Sequence, residues 1–402
     1  MAEERAHGHP PEIDQVLVVA DSLRDNGGVR VALEYARQWR MIDAPVQVAV
    51  VQDVDDGAHA PVDPLVPLAF LTARGSRFRY TWPVALARLV RRARRSGVVL
   101  AGSETGVGLL LGYVAARLAR RPFGVLVQAD LDDAIATWVS RPVQPLTRFA
   151  HRHADLAISV ADSIVPGVVA NGLPRERVAV VVNGIDVGRV RAQAGLPAEV
   201  DPAPPRRPAG EPPVVVGQGR LSVQKDFPLL VRAHARVLAA GVDHRLVIIG
   251  DGPVRGEIEA AVAEQGVGGT VELAGYVDNP YPITSTADLF VLSSNSEGMP
   301  LTILEALAVG TPIVATRCGT GVDLLLEDGA YGDLVEAGSL DELSAAIERH
   351  LREPSVLGER ARRGPQQAMS FDVSRSARTI LDLLEGLQHR PGPARRTPTP
   401  VS

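Results

Sequence analysis

A chain of 402 residues, 46% hydrophobic and 22% charged, is too long for one ordinary core and too apolar for general disorder, so it fits two domains. Its 42 basic and 47 acidic residues leave a formal charge of −5, which offers no electrostatic reason to expect nucleic acid. The single cysteine, Cys318, excludes an intramolecular disulfide and a cysteine-based zinc cluster; after the strand-like "PIVATRC" it reads as a partly buried, inert thiol. No apolar run approaches a membrane-spanning length, and "MAEERAHGHPPEID" is too polar for a signal peptide, so the expectation is a soluble cytoplasmic protein.

From Gln15 onward, short aliphatic runs alternate with helical patterns. "QVLVVA" leads through "SLRDNGG" to "VRVALEYARQWR"; "PVQVAVV", "SGVVLAG", "FGVLVQA", "HADLAISV" and "VAVVVNGID" follow, with helical stretches such as "VGLLLGYVAARLARR" between. Val/Leu/Ile runs without alternation suit strands buried on both faces, the pattern of a parallel sheet covered by helices. The predicted N-terminal Rossmann-like domain is therefore 1–199, with a disordered start. "VDPAPPRRPAGEPP" has a proline density that defeats helix and interior strand, and residues 200–213 read as a linker.

A second alternation occupies 214–364: "VVVGQGRL", "RLVIIGDGP", "TVELAGYV", "ADLFVLSS", "TPIVATRC" and "YGDLVEA" as strands with helices between. A last amphipathic helix falls within 365–387, and 388–402 reads as a disordered tail. The expected fold class is α/β, with two doubly wound Rossmann-like domains facing a cleft.

Three stretches can carry chemistry. In "VVVGQGRLSVQKDFPLL" a strand ends at Gly217 and Gly219, and Arg220 and Lys225 follow before a helix. Doubly wound domains bind ligands beyond the carboxyl ends of their strands, where an arginine fork and a lysine point charge suit a pyrophosphate; an exposed basic loop is the equal alternative on this stretch alone. "VIIGDGP" reads first as a structural turn, with Pro253 opening a helix. In "NSEGMPLTILEALAVGTP", Pro300 is expected at the first helical position, leaving the amides of Leu301, Thr302 and Ile303 open to an anion. Capping accounts for Glu297 at most, since Glu305 lies a turn inside the helix, and too few carboxylates accompany the pair for a magnesium or calcium site. Hydrogen bonding to vicinal hydroxyls remains, which with phosphate-facing amides describes a nucleotide-diphospho-sugar.

"EGMPLTILE" resembles the Glu-x7-Glu motif of the retaining glycosyltransferases of family 4, whose fold is the two-domain GT-B arrangement. The resemblance runs from "NGGVRVALEYA" through "VNGID", "GRLSVQKDFPLL" and "IIGDGP" to "EGMPLTILEALAVGTPIVAT". It implies that Arg220 and Lys225 bind the donor diphosphate, that Glu297 contacts the transferred hexose, and that Glu305 contacts the nucleotide ribose. Backbone around Gly219, Gly298, Met299, Pro300 and Leu301 would hold sugar and diphosphate, and Gly27 and Gly28 would bring the N-terminal backbone close to the donor; taken alone, that glycine pair is a flexible turn. The catalytic set so implied is Arg220, Lys225 and Glu297, with a UDP-sugar donor, a small-molecule or glycan acceptor, and no cofactor or metal.

One departure stands out. Many family members carry a histidine at the strand end matching "FGVLVQADLDD", where this chain offers Gln128 and Asp130 as sugar contacts. Glutamine can donate to a hydroxyl but cannot shuttle a proton at neutral pH. His151 and His153, nearby in sequence, are expected to be solvated on a surface helix. The run "LARLVRRARRSG" reads as a solvated face, with an anionic lipid or a phosphorylated acceptor as the alternative. Rival functions on the same architecture are a UDP-sugar 2-epimerase, which needs no acceptor, and an inert nucleotide-sugar binder. The donor stretch looks closest to users of UDP-N-acetylhexosamines, and the composition suggests either decoration of a secondary metabolite such as an aminoglycoside or assembly of a cell-surface glycan.

Overall fold

The computed structural model describes residues 13–23, 27–53, 62–197 and 210–389. The chain start, residues 200–209 of the expected linker and residues 390–402 of the expected tail lie outside them. The first half contains β1 (Val16–Ala20), α1 (Gly27–Met41), β2 (Val46–Val50), β3 (Leu68–Phe70), α2 (Phe78–Ala93), β4 (Val98–Ala101), α3 (Val107–Ala119), β5 (Phe123–Val127), α4 (Leu131–Trp138), α5 (Gln144–Arg152), β6 (Leu156–Ser159), α6 (Val165–Ala170), β7 (Val178–Val180) and α7 (Val187–Gln193). Its seven-stranded sheet has the order β3-β2-β1-β4-β5-β6-β7, and each neighbouring pair runs parallel. The aliphatic runs are buried on both faces, as their lack of alternation requires; β1, β4, β5 and β6 are buried at every position.

The second half contains β8 (Val214–Gln218), α8 (Phe227–Ala239), β9 (Arg245–Ile249), α9 (Arg255–Glu264), β10 (Val271–Gly275), α10 (Tyr281–Thr286), β11 (Leu289–Leu292), α11 (Leu301–Val309), β12 (Ile313–Arg317), α12 (Thr320–Leu326), β13 (Asp333–Glu336), α13 (Leu340–Arg352), α14 (Ser355–Ser370) and α15 (Val373–Gln388). Six parallel strands are ordered β10-β9-β8-β11-β12-β13, so the strand order reverses between β8 and β11. A crevice at such a switch point is where open α/β sheets bind ligands.

The chain crosses between the halves at Ile185 and Asp372, which form an isolated parallel bridge, Val373 N donating to Ile185 O across 3.1 Å. A side chain at Gly184 would collide with the Phe371 carbonyl, so the two crossings run in contact. Beyond the first crossing, α7 packs on α10, α11 and α14, with the buried Arg191 donating to Ala308 O at 2.9 Å. Beyond the second, α15 returns to α1: Trp39 Nε1 donates to Ala377 O at 2.7 Å, and Ile380, Leu381 and Leu384 enter the N-terminal core. Helix α14 runs unbroken across residues 364 and 365, where a separate C-terminal helix was expected to begin; Pro365 sits inside it, and the turn comes at Phe371 instead.

Three further details bear on the sequence reading, and in the last of them Arg88, Arg91, Arg94 and Arg95 are exposed, as expected of a solvated face. β3 is a strand of three residues, too short to stand out in the sequence. α1 begins at Gly27, so Gly27 and Gly28 lie in its first turn and not in the loop before it. The arginine run closes α2, where Arg88 donates to Leu71 O at 2.9 Å and Arg92 turns inward far enough to bury its Nε without a partner among the described residues.

Candidate active site

The loops of the candidate site are built from three strand ends. After β8, Gly219 receives support from β9, its N donating to Ile249 O at 2.9 Å, while Leu221 N donates to Asp251 O at 3.0 Å. A side chain at Gly250 would strike the Gly219 carbonyl, so "IIGDGP" and "GRL" nest backbone to backbone; Gly250 has a φ of 138°, a conformation that also favours glycine. The following turn is tied to the loop after β11: Asn295 N donates to Gln224 O at 2.8 Å, Gln224 Nε2 to Ser296 O at 2.6 Å, and Ser293 Oγ to Lys225 O at 2.9 Å.

This tying brings Lys225 and Glu297 together. Lys225 Nζ donates to Glu297 Oε1 at 2.5 Å, and Ser294 Oγ donates to the same oxygen at 2.6 Å. Both side chains are largely buried, at 16% and 8% exposure, so the ion pair works in a reduced dielectric. Arg220 stands exposed beside them. Glu297 N donates to Cys318 O at 3.0 Å, and burial pushes the Cys318 thiol up to about 11, which keeps it inert.

Pro300 occupies the N-cap of α11, one position earlier than expected, and Ile303 N is already bonded to Pro300 O at 3.1 Å. The open amides therefore shift toward the loop, and no side chain caps the helix, so capping explains neither glutamate. The Thr302 hydroxyl in the first turn is buried without a partner among the described residues. Glu305 is buried in a polar network that sequence reasoning missed. Gln218 Nε2 donates to Glu305 Oε2 at 2.8 Å, Tyr281 OH to Glu305 Oε1 at 3.3 Å, and Thr284 Oγ1 to Gln218 Oε1 at 3.2 Å. Burial raises the Glu305 carboxyl above its ordinary range, and the charge of Arg30 from the N-terminal half opposes that rise.

The N-terminal half meets this loop at Gln128, just beyond β5. A β-carbon built on Gly298 would lie 2.7 Å from Gln128 O and 2.9 Å from Ile164 Cδ1, so only glycine admits this approach. Gln128 Nε2 donates to Gly28 O at 3.3 Å, joining the start of α1 to the same point. Of the two residues offered as sugar contacts, Gln128 stands at the meeting of the halves. Asp130 instead caps α4, accepting from Asp132 N at 3.0 Å and Asp133 N at 3.1 Å.

Glu104, beyond β4, was not foreseen. It is buried at 4% exposure, and its carboxylate accepts from Gln128 N at 3.3 Å. Burial pushes it up to about 7. His151 is a correction: it is fully buried, with Nε2 at 2.7 Å from Glu104 O, because it lies on the inner face of α5, and burial lowers its pKa. His153, two residues on, is exposed as expected. Among the described residues no group of three or more His, Cys, Asp or Glu is placed to hold a metal ion, and no helix is long and apolar enough to cross a membrane.

The family model described as Glycosyltransferase Family 4 matches residues 25–189, and the one for Glycosyl transferases group 1 matches residues 212–353. The lipopolysaccharide core biosynthesis glycosyltransferase LpsE of Rhizobium meliloti is 34% identical over 58% of this chain and 64% of its own length. The 2-deoxystreptamine glucosyltransferase of Streptomyces kanamyceticus is 31% identical over 62% of this chain and 67% of its own. The chain thus spans a little under two thirds of LpsE. Among solved structures, Anabaena HepE in complex with UDP and glucose superposes with a TM-score of 0.73 at 21% identity, covering 92% of this chain and 99% of HepE. That likeness establishes the GT-B fold of two parallel-sheet domains.

Proposed function

The chain belongs to glycosyltransferase family 4, and from that premise we propose that it moves a hexose from a UDP-sugar to a hydroxyl acceptor with retention at the anomeric carbon. The observation that carries this reading is the pairing of Lys225 with Glu297 across the loops after β8 and β11, with Glu305 in the helix that follows and Gly298 of the second loop against Gln128. Lys225 donates one proton to Glu297 and keeps two for phosphate oxygens, and Arg220 adds an exposed guanidinium fork at the same loop. Backbone of Gly219 and of Gly298, Met299, Pro300 and Leu301 lines the path from diphosphate to sugar, with Glu297 reading hexose hydroxyls and Glu305 the ribose. The solved complexes of HepE with UDP and with UDP-glucose support a uridine donor.

In this mechanism the departing diphosphate, neutralised by Arg220 and Lys225, takes the proton of the acceptor hydroxyl on the face it leaves. A bond forms from acceptor oxygen to anomeric carbon as the carbon–phosphate-oxygen bond breaks, and no protein nucleophile or metal takes part. Preorganised positive charge at a developing phosphate is worth a factor on the order of 10²–10³ per group. N-acetylglucosamine or a related N-acetylhexosamine is the transferred sugar to test first, with an aminoglycoside-like secondary metabolite as acceptor, in keeping with the Streptomyces relative. The kinship with LpsE favours a second reading, in which the acceptor belongs to a cell-surface glycan.

Incubation with UDP-sugars, following UDP release with and without acceptor, separates the alternatives. Transfer requires acceptor and yields a glycosylated mass, epimerisation consumes donor without acceptor, and an inert binder does neither. Lys225→Ala and Arg220→Ala should each lower turnover by about 10²–10³ with an unchanged circular dichroism spectrum; near-normal activity in both variants refutes the assignment.

A further inference from the structure

We propose that Glu104 is the acceptor-reading residue of this enzyme and that it selects an acceptor carrying a protonated amine beside the hydroxyl to be glycosylated. The inference rests on the glycosyltransferase reading and adds to it the chemical class of the acceptor. Glu104 follows β4, the strand paired with β5, and its carboxylate lies against the amide of Gln128. The carbonyl of that same Gln128 touches Gly298 of the donor loop, which puts Glu104 within one residue of the place where the transferred sugar would sit.

The loop that carries Glu104 is held from below. His151 Nε2 bonds the Glu104 carbonyl at 2.7 Å, and Asp21 accepts from Val107 N at 3.1 Å at the start of α3. The carboxylate is therefore fixed in position before any acceptor arrives, as a specificity group must be.

Charge decides the kind of acceptor. Glu297 has Lys225 at 2.5 Å, and Glu305 has Gln218, Tyr281 and the field of Arg30. Glu104 has no such compensation: among the described residues no ion pair or side-chain donor reaches its carboxylate, and the Gln128 amide is its one long-range donor. A carboxylate has about four lone-pair sites, and a buried one left short of donors is costly.

Among the described residues, the surrounding strand ends place no cation against this carboxylate. Asp21 follows β1, Asp53 follows β2, Asp130 follows β5 and Asp162 follows β6, whereas Arg74 follows β3 at the far edge of the sheet, three strands from β4. An ammonium group would satisfy the carboxylate with charge-assisted hydrogen bonds and would hold the neighbouring hydroxyl toward the donor. A neutral polyol offers only ordinary hydrogen bonds there, and an anionic acceptor is repelled.

The test uses the full chain loaded with UDP-glucose or UDP-N-acetylglucosamine. The acceptor probes are 2-deoxystreptamine, a diaminocyclitol, and its di-N-acetyl derivative, with acceptor kcat/KM and the calorimetric affinity of the UDP complex for each probe as readouts. Breaking a buried charge-assisted pair predicts that wild type prefers the free amine by about thirtyfold or more. Glu104→Gln, which keeps shape and the Gln128 contact, should collapse that preference toward unity by raising the acceptor KM, while the affinity for UDP stays within twofold. Glu104→Asp, which keeps the charge, should retain part of the preference that Glu104→Gln loses.

Equal use of both probes by wild type, no binding of the amine to the UDP complex, or a preference that survives Glu104→Gln each overturns the proposal. Those failures are separable from failure of the glycosyltransferase reading, which would show as no UDP binding and no UDP release from any donor.

Discussion

A β-carbon on Gly298 would stand 2.7 Å from the carbonyl oxygen of Gln128, so the loop after β11 in one half and a strand end of the other meet at a position that only hydrogen can fill. Gly298→Ala should hold the cleft open by a fraction of an ångström to an ångström at the reacting centre. Misplacement on that scale costs about 10²-fold in rate. Steady-state kinetics should show kcat/KM reduced by about that factor, with an unfolding midpoint near wild type because the fault lies between the halves and not within either core. Wild-type kinetics for this variant would mean that the contact opens before catalysis.

The Gln218–Glu305 bond gives a second expectation. Gln218→Leu removes the donor at 2.8 Å and leaves a buried carboxylate with Tyr281 as its remaining hydrogen-bond donor. A net hydrogen bond of about 1 kcal/mol corresponds to a fivefold weakening of UDP affinity, with kcat little altered because the chemistry lies at the other end of the donor. Tyr281→Phe should act in the same direction. Titration calorimetry with UDP checks both, and unchanged affinity in both variants would remove Glu305 from the ribose.

Asp130 is tested by its role as a cap. Asp130→Ala should cost about 1 kcal/mol of stability, while Asp130→Asn, which can still accept from the amides of Asp132 and Asp133, should cost little. Turnover should stay within twofold of wild type in both. A loss of activity without a loss of stability would return Asp130 to the sugar site.

A pair of buried histidines makes the C-terminal half sensitive to acid. His234 Nδ1 lies 2.8 Å from His244 Nε2, and His234 Nε2 lies 2.9 Å from Thr270 Oγ1, a chain that is satisfied when both rings are neutral. Burial, aided by the charge of His244, lowers His234 from 6.5 to about 3, and burial also lowers His244. Below pH 6.5 the unfolded chain takes up protons that the folded pair refuses, so stability is complete above that pH and falls as the pH drops toward 3. The slope approaches about 1.4 kcal/mol per pH unit for each histidine. Urea unfolding between pH 4 and 7 should show this slope reduced in His234→Gln, which can donate to His244 and accept from Thr270. An unaltered slope would place the acid sensitivity elsewhere.

Both loops of the candidate site were legible as strand–loop–helix passages because each is local. "GRLSVQK" and "EGMPLTILE" each lie on one strand–loop–helix passage, and the residues in them keep their neighbours whatever the rest of the chain does. What brought Lys225 to Glu297 is not local: it needs β8 beside β11, a pairing between strands more than seventy residues apart. His151 and His153 show the same limit on a smaller scale. One lies in the last turn of α5 and the other at its C-cap, so they face different sides, and the sequence "FAHRHADLA" does not reveal which side meets the sheet. Glu104 left no signal because a single carboxylate after an apolar strand is ordinary, and only its place beneath Gln128 sets it apart. Pro300 was misplaced by one position, since a proline at N1 and a proline at the N-cap look alike in sequence.

The return of α15 to the N-terminal sheet has a consequence for synthesis. Ile380, Leu381 and Leu384, each at 0% exposure, complete a core whose other members begin at Ile13. Protein chains emerge from the ribosome at roughly 5–20 residues per second and tend to fold domain by domain from the amino end. Here the first domain to emerge is the last to be finished, because the apolar face over Trp39 waits for residues made after the entire second domain. A chain truncated after Ser370 should therefore carry a protease-resistant C-terminal half behind an N-terminal half that is cleaved readily, and adding the residues through Gln388 should protect both.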